Sequence, residues 1–145
     1  MNKEKIIQLE AEGKLKKRFV DVHRIKSLIE SSRMAAGVVG KLEITKETAT
    51  TIFREYYESI RQLGDAKWWS LGYEVCGSHE VSMEILIDMK ILESRKTQSL
   101  DRFRRIRNNA NYRGYLVEPE ESKEIKEFWL SCGESIIKEI KKSCD

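Results

Sequence analysis

Proline is almost missing from this chain: Pro119 is the only one in 145 residues. Short alternating runs separated by Gly/Pro turns are also missing, which excludes a β-sandwich or barrel. Cysteine is scarce and odd in number. Cys76, Cys132 and Cys144 show no C-x-x-C spacing, so they read as reduced thiols of a cytoplasmic protein rather than a disulfide framework. Histidine occurs twice, as His23 and His79. A zinc site would need nearly every available ligand to converge, so no metal is expected. Neither histidine has a glutamate three residues before it, which removes the Glu-x-x-His pattern of di-iron bundles. Phosphate-loop and dinucleotide-binding glycine patterns are lacking, and no cofactor is expected. No apolar run approaches the ~18 residues that span a bilayer, and the first segment is too charged for a secretion signal. Charge of one sign does not dominate either. The 27 basic residues nearly cancel the 24 acidic ones, leaving +3, so only their clustering can matter.

What is present is charge and helical periodicity. The chain is 35% charged against a usual ~25%, and 40% hydrophobic. That balance suits amphipathic helices with solvated outer faces. Residues 3–12 predict a short helix ending near Gly13. The basic run Lys14 to Arg18 reads as a solvated hinge, with a phosphate-binding patch as the alternative. From Val20 to about Val39, Val22, Ile25, Ile29 and Ala36 keep helical spacing. Thr45 is the expected N-cap of the next helix, where Ala49, Ile52, Phe53, Tyr56, Ile60 and Leu63 form one buried face. These two long helices should pack as an antiparallel hairpin. Trp68 and Trp69 read as a continuation of that helix closing the core, in preference to a base-stacking platform.

Ser78 is placed to cap a shorter helix carrying Val81, Ile85 and Met89, with His79 in its first turn. The plain reading of His79 is an exposed or locally bonded histidine. A further helix buries Leu100, Phe103, Ile106 and Ala110 and stops at Gly114. The last opens at Pro119 with Glu120 and Glu121 in its first turn. It buries Ile125, Phe128, Trp129, Cys132, Ile136 and Ile140. The expectation is one all-α domain over residues 1–145, an up-and-down bundle of five to six helices. A short N-terminal helix and basic hinge occupy 1–18 and the bundle 20–142.

Chemistry concentrates between Asp101 and Tyr115, D-R-F-R-R-I-R-N-N-A-N-Y-R-G-Y. Once the inward stripe is subtracted, the remaining faces are nearly all hydrogen-bond donors. Arg104, Asn108, Asn111 and Tyr115 lie at steps of four, three and four, and Arg107 shares a stripe with Asn111. A guanidinium is a planar fork matched to phosphate oxygens and stays charged at any relevant pH. Such a face suits RNA or a nucleotide. The alternative is that these arginines pair with acidic residues of other helices while the asparagines cap the helix end.

The run Arg107-Asn108-Asn109-Ala110-Asn111-Tyr112 resembles the signature of HEPN domains, an arginine, commonly followed by asparagine, with four residues between it and a histidine. Here Tyr112 stands at the histidine position. Tyr56-Tyr57, Leu71-Gly72-Tyr73 and Ser78-His79-Glu80 also resemble the middle of archaeal-type HEPN sequences, so the similarity spans roughly residues 20–142. The resemblance implies a helical homodimer that binds RNA or nucleotide and belongs to a toxin–antitoxin or nucleotidyltransferase-associated system. It also implies two alternatives, a metal-independent endoribonuclease toxin and a non-catalytic helical partner of a minimal nucleotidyltransferase. Carried over residue by residue, Arg107, Asn108 and Tyr112 fall in the catalytic positions. Arg104, Asn111, Tyr115 and His79 are the candidate ligand contacts, and Tyr112 or Tyr115 would be a modification acceptor. Tyrosine is a poor general base near neutrality because its ordinary pKa is about 10. On an ideal helix, positions five apart differ by about 140°, which predicts that Arg107 and Tyr112 converge only at a frayed end or across a dimer.

Overall fold

The computed structural model describes residues 1–144. Six helices and one small sheet follow in the order α1 (Lys3–Ala11), β1 (Leu15–Lys17), α2 (Val22–Val39), α3 (Ala49–Ser70), β2 (Tyr73–Val75), α4 (His79–Ile87), α5 (Ser94–Arg113) and α6 (Pro119–Lys142). The architecture is the expected all-α bundle, and α3 is its centre. It packs on α2, α4, α5, α6 and β2. Its apolar residues Ile52, Phe53, Ile60, Leu63 and Trp68 are fully buried.

Local chemistry sets most helix ends. Asp21 accepts from the Arg24 amide at 3.1 Å and starts α2. Thr45 and Thr48 exchange side-chain-to-backbone bonds of 2.9 and 3.2 Å, so α3 begins at Ala49 with Thr48, not Thr45, at its cap. Glu118 and Glu121 form a capping box around Pro119 at the start of α6. Gly114 ends α5 with φ of 67°, a conformation open to glycine at little cost.

The packing is aromatic at two levels. Phe103 of α5 meets Phe53 of α3 edge-on at 5.9 Å and Phe128 of α6 at 5.8 Å, which joins three helices. Lower on α3, the Trp68 indole donates to the Val81 carbonyl of α4 at 2.9 Å and stands edge-on to Tyr73 of β2 at 5.9 Å. Both tryptophans are therefore core residues. Trp129, expected inside, is only partly buried.

The segment Lys14 to Arg18 is not a hinge. Leu15 is buried, and residues 15–17 pair antiparallel with Tyr73–Val75, Leu15 opposite Val75 and Lys17 opposite Tyr73. Bonds from Arg18 N to Gly72 O at 2.8 Å and from Cys76 N to Lys14 O at 2.9 Å extend the ladder at both ends. Leu15 is what turns the run inward; the lysines beside it stay in water.

Two helical glycines sit in opposite surroundings. A methyl at Gly64 would lie 2.0 Å from the Ser82 carbonyl oxygen of α4, whereas one at Gly37 of α2 would meet nothing within 4 Å. Gly64→Ala is expected to destabilise the fold by about 3 kcal/mol, the upper part of the overpacking range. Gly37→Ala should instead stabilise it by about 0.5–1 kcal/mol through helix propensity. Urea denaturation of the two variants checks both signs.

Candidate functional site

The arginines of α5 separate into two kinds. Arg102 pairs with Glu124 of α6, and Arg105 reaches Asp101 at 3.5 Å. Arg104 is held at 2.9 Å by Asp101 and at 3.1 Å by Glu80 of α4. Arg107 forms no ion pair among the described residues, and neither do Arg95 and Arg113 near the two ends of α5; what sets Arg107 apart is its aromatic surroundings. Its guanidinium lies 5.7 Å from the ring centre of Tyr57 on α3 and 5.9 Å from that of Tyr112, and it donates to Asn108 Oδ1 at 3.3 Å. Each ring contact contributes about 0.5–1 kcal/mol. Such contacts place a cation without cancelling its charge. Arg107 and Tyr112 thus meet within one chain, contrary to the angular expectation, because the length of the arginine carries its head group around the helix.

The wall opposite is built from α3. Glu58, Arg61 and Asp65 succeed one another at helical spacing, with Arg61 Nε on Glu58 at 2.9 Å and Arg61 Nη1 on Asp65 at 2.7 Å. Asp65 also accepts from the Ser82 hydroxyl of α4. The Glu58 carboxyl is held below its usual range chiefly by the hydrogen bond from Arg61. Tyr57 is buried, and its phenol is pushed up to about 12 by that burial, against the pull of Arg107, Arg104 and Arg61. It is a neutral donor at any physiological pH. Its hydroxyl makes no hydrogen bond within the described residues.

The first turn of α4 brings His79 into the same electrostatic neighbourhood. The residue as a whole is exposed, yet partial desolvation holds the imidazole below its ordinary value near 6.5. The cations Arg61 and Arg107 push the same way, opposed by Glu58 and Asp65. The neutral imidazole is therefore the major form of His79 at pH 7, able to accept a proton at one nitrogen while donating from the other.

The remaining expected contacts are largely occupied. Asn111 accepts from Arg54 Nε at 2.9 Å, and the same arginine donates to the Ala110 carbonyl at 3.1 Å, tying the end of α5 to α3. Tyr115 donates to Glu121 at 2.6 Å, which raises its phenol to about 12. Tyr112 remains 75% exposed. The structure thus gathers Arg107, Asn108 and Tyr112 with Tyr57, which the sequence alone did not single out as a site residue, and leaves His79 within the electrostatic reach of Arg107. Arg104 borders the group through Glu80. Asn111 and Tyr115 serve the junction of α5 with its neighbours.

Among the described residues no group of His, Cys, Asp and Glu is placed to hold a metal, and no helix is long and apolar enough to cross a membrane. Compared with family models, curated proteins and solved structures, the chain matches none.

The cations around His79 make its titration diagnostic. In an NMR titration its midpoint should fall below 6.5, and Arg107→Ala should move it upward, since removing a positive neighbour favours the imidazolium. An unchanged midpoint would mean that the two side chains do not sense each other.

Proposed function

We propose that the chain is a HEPN-like protein that binds RNA or a nucleotide at Arg107, as a homodimer with the two motif faces turned toward each other. The observation that carries this reading is the state of Arg107. It is a permanent cation, aimed by Tyr57 and Tyr112 and lacking a carboxylate of its own, beside two groups able to bond phosphate or base, Tyr57 and Asn108, and its charge reaches the imidazole of His79. A phosphate oxygen supplies the anionic partner that the fold withholds. Tyr112 beside Arg107 and Leu116 just past the end of α5, each 75% exposed, would supply apolar surface for a second copy. A toxin–antitoxin or nucleotidyltransferase-associated role is the setting the resemblance implies.

A second reading, metal-independent RNA cleavage, is favoured by one observation, the neutral imidazole of His79 within the field of Arg107. In that chemistry the ribose 2′-hydroxyl loses its proton to a base and attacks the adjacent phosphorus. The bond from phosphorus to the 5′-oxygen breaks, and the leaving oxygen takes a proton. His79 suits the first transfer better than Tyr112 does, and Arg107 would balance the phosphorane charge.

The test is incubation of the protein with total RNA and tRNA in EDTA, beside affinity measurements over a salt series. Arg107→Ala should weaken RNA binding roughly tenfold and lower the salt slope by about 1. Binding unaffected by the substitution would refute the assignment of Arg107. Cleavage lost in both Arg107→Ala and His79→Ala would establish the ribonuclease. Intact RNA and no binding, with stable association to a nucleotidyltransferase, would replace both readings by the helical-partner role.

A further inference from the structure

We propose that Phe19, displayed between β1 and α2, is a second contact for single-stranded RNA, on which one unpaired base stacks while Lys16 and Lys17 engage the neighbouring phosphates. The proposal extends the RNA-binding reading and takes RNA as the ligand from it, but it rests on different residues.

Phe19 is 96% exposed. It is not a loose residue, because both of its flanks are tied down. On one side Leu15 is buried and the Arg18 amide donates to Gly72 O at 2.8 Å; on the other Asp21 caps α2. Leaving a phenylalanine in water forgoes the roughly 1.5–3 kcal/mol that its burial returns. Lysines on an edge strand are explained by the need to discourage strand pairing. That need does not explain an aromatic ring held out beside them.

Charge decides what the ring meets. Lys16 and Lys17 are exposed and have no acidic partner among the described residues. Glu74 stands opposite Lys16 in the sheet, but its carboxylate is taken up by Arg18 at 3.7 Å and Arg24 at 3.8 Å. A stable protein interface needs about 1,000 Å² or more of buried surface, and one ring is a small anchor for a membrane. A base needs only one aromatic face, and stacking contributes about 1–3 kcal/mol per base. None of Lys16, Lys17 and Phe19 is among the contacts of Arg107, so the two sites are separate, and an RNA engaging both has to extend beyond what fills the Arg107 group.

The experiment is fluorescence anisotropy of the full chain with a labelled single strand of about 12 nucleotides, within the ~4–16 that such surfaces occupy, and with a dinucleotide. Phe19→Ala and the double variant Lys16→Ala/Lys17→Ala should each weaken the longer RNA about tenfold and leave the dinucleotide unchanged. Phe19→Trp should restore binding. Full affinity of Phe19→Ala for the longer RNA overturns this proposal and leaves the Arg107 assignment standing. Loss in Phe19→Ala with normal binding by Arg107→Ala does the reverse. No RNA binding by the unaltered chain removes both. Phe19-dependent sedimentation with anionic phosphatidylserine vesicles, with RNA affinity unchanged, overturns the proposal and assigns the ring to a membrane surface.

Discussion

Where α4 crosses α3, the two backbones come so close at Gly64 that no side chain fits between them; a methyl there would stand 2.0 Å from the Ser82 carbonyl oxygen. Two polar contacts lock the crossing, the Ser82 hydroxyl on Asp65 and the Trp68 indole on the Val81 carbonyl. Together they fix the height and rotation of a nine-residue helix whose apolar face, Val81, Met83, Ile85 and Leu86, is buried against its neighbours. His79 and Glu80 occupy its first turn, so their positions beside Arg61 and Arg104 follow from this contact. Glu80 takes up Arg104, and the same α4 turn leaves Arg107 without a carboxylate. Relaxing the crossing would move the histidine and the acid together.

A charge can be restrained in two ways here, and α5 uses both. Arg102 and Arg104 are fixed by carboxylates, which offset part of their charge. Arg107 is fixed by aromatic faces, which orient it and leave its charge available. Tyr57 has a double part in this. Its burial keeps the phenol protonated, so the ring carries no competing negative charge and its hydroxyl remains a donor. A phenylalanine at that position would still support the guanidinium but would lose the donor.

The helices were legible because their signals are long. The stripe from Ala49 to Leu63 and the Pro119 start of α6 each repeat or combine several cues, and the structure follows them. The sheet was not legible, since three residues per strand give no room for an alternating pattern and the partners are far apart in sequence. Lys14 to Arg18 therefore read as solvated, with Leu15 the only apolar cue. At the candidate site, composition singled out α5 but could not sort its arginines, because the sorting depends on Glu80 and Glu124 from other elements. Tyr57 was hidden for a related reason. It lies on the core stripe of α3, and only the packing of α5 shows that one of its faces supports a cation.

The pairing of β1 with β2 encloses the whole α2–α3 hairpin between its two strands. Closing so long a loop directly would be entropically costly and slow. Once the two helices lie antiparallel, however, the start of α2 and the end of α3 are already neighbours, as the Arg24 guanidinium 4.6 Å from the Trp69 ring shows. The sheet then acts as a clasp that shuts on a finished hairpin. It is the element expected to form late and to open first, and its opening would free the Phe19 connection while leaving Tyr57, Arg61 and α5 in place.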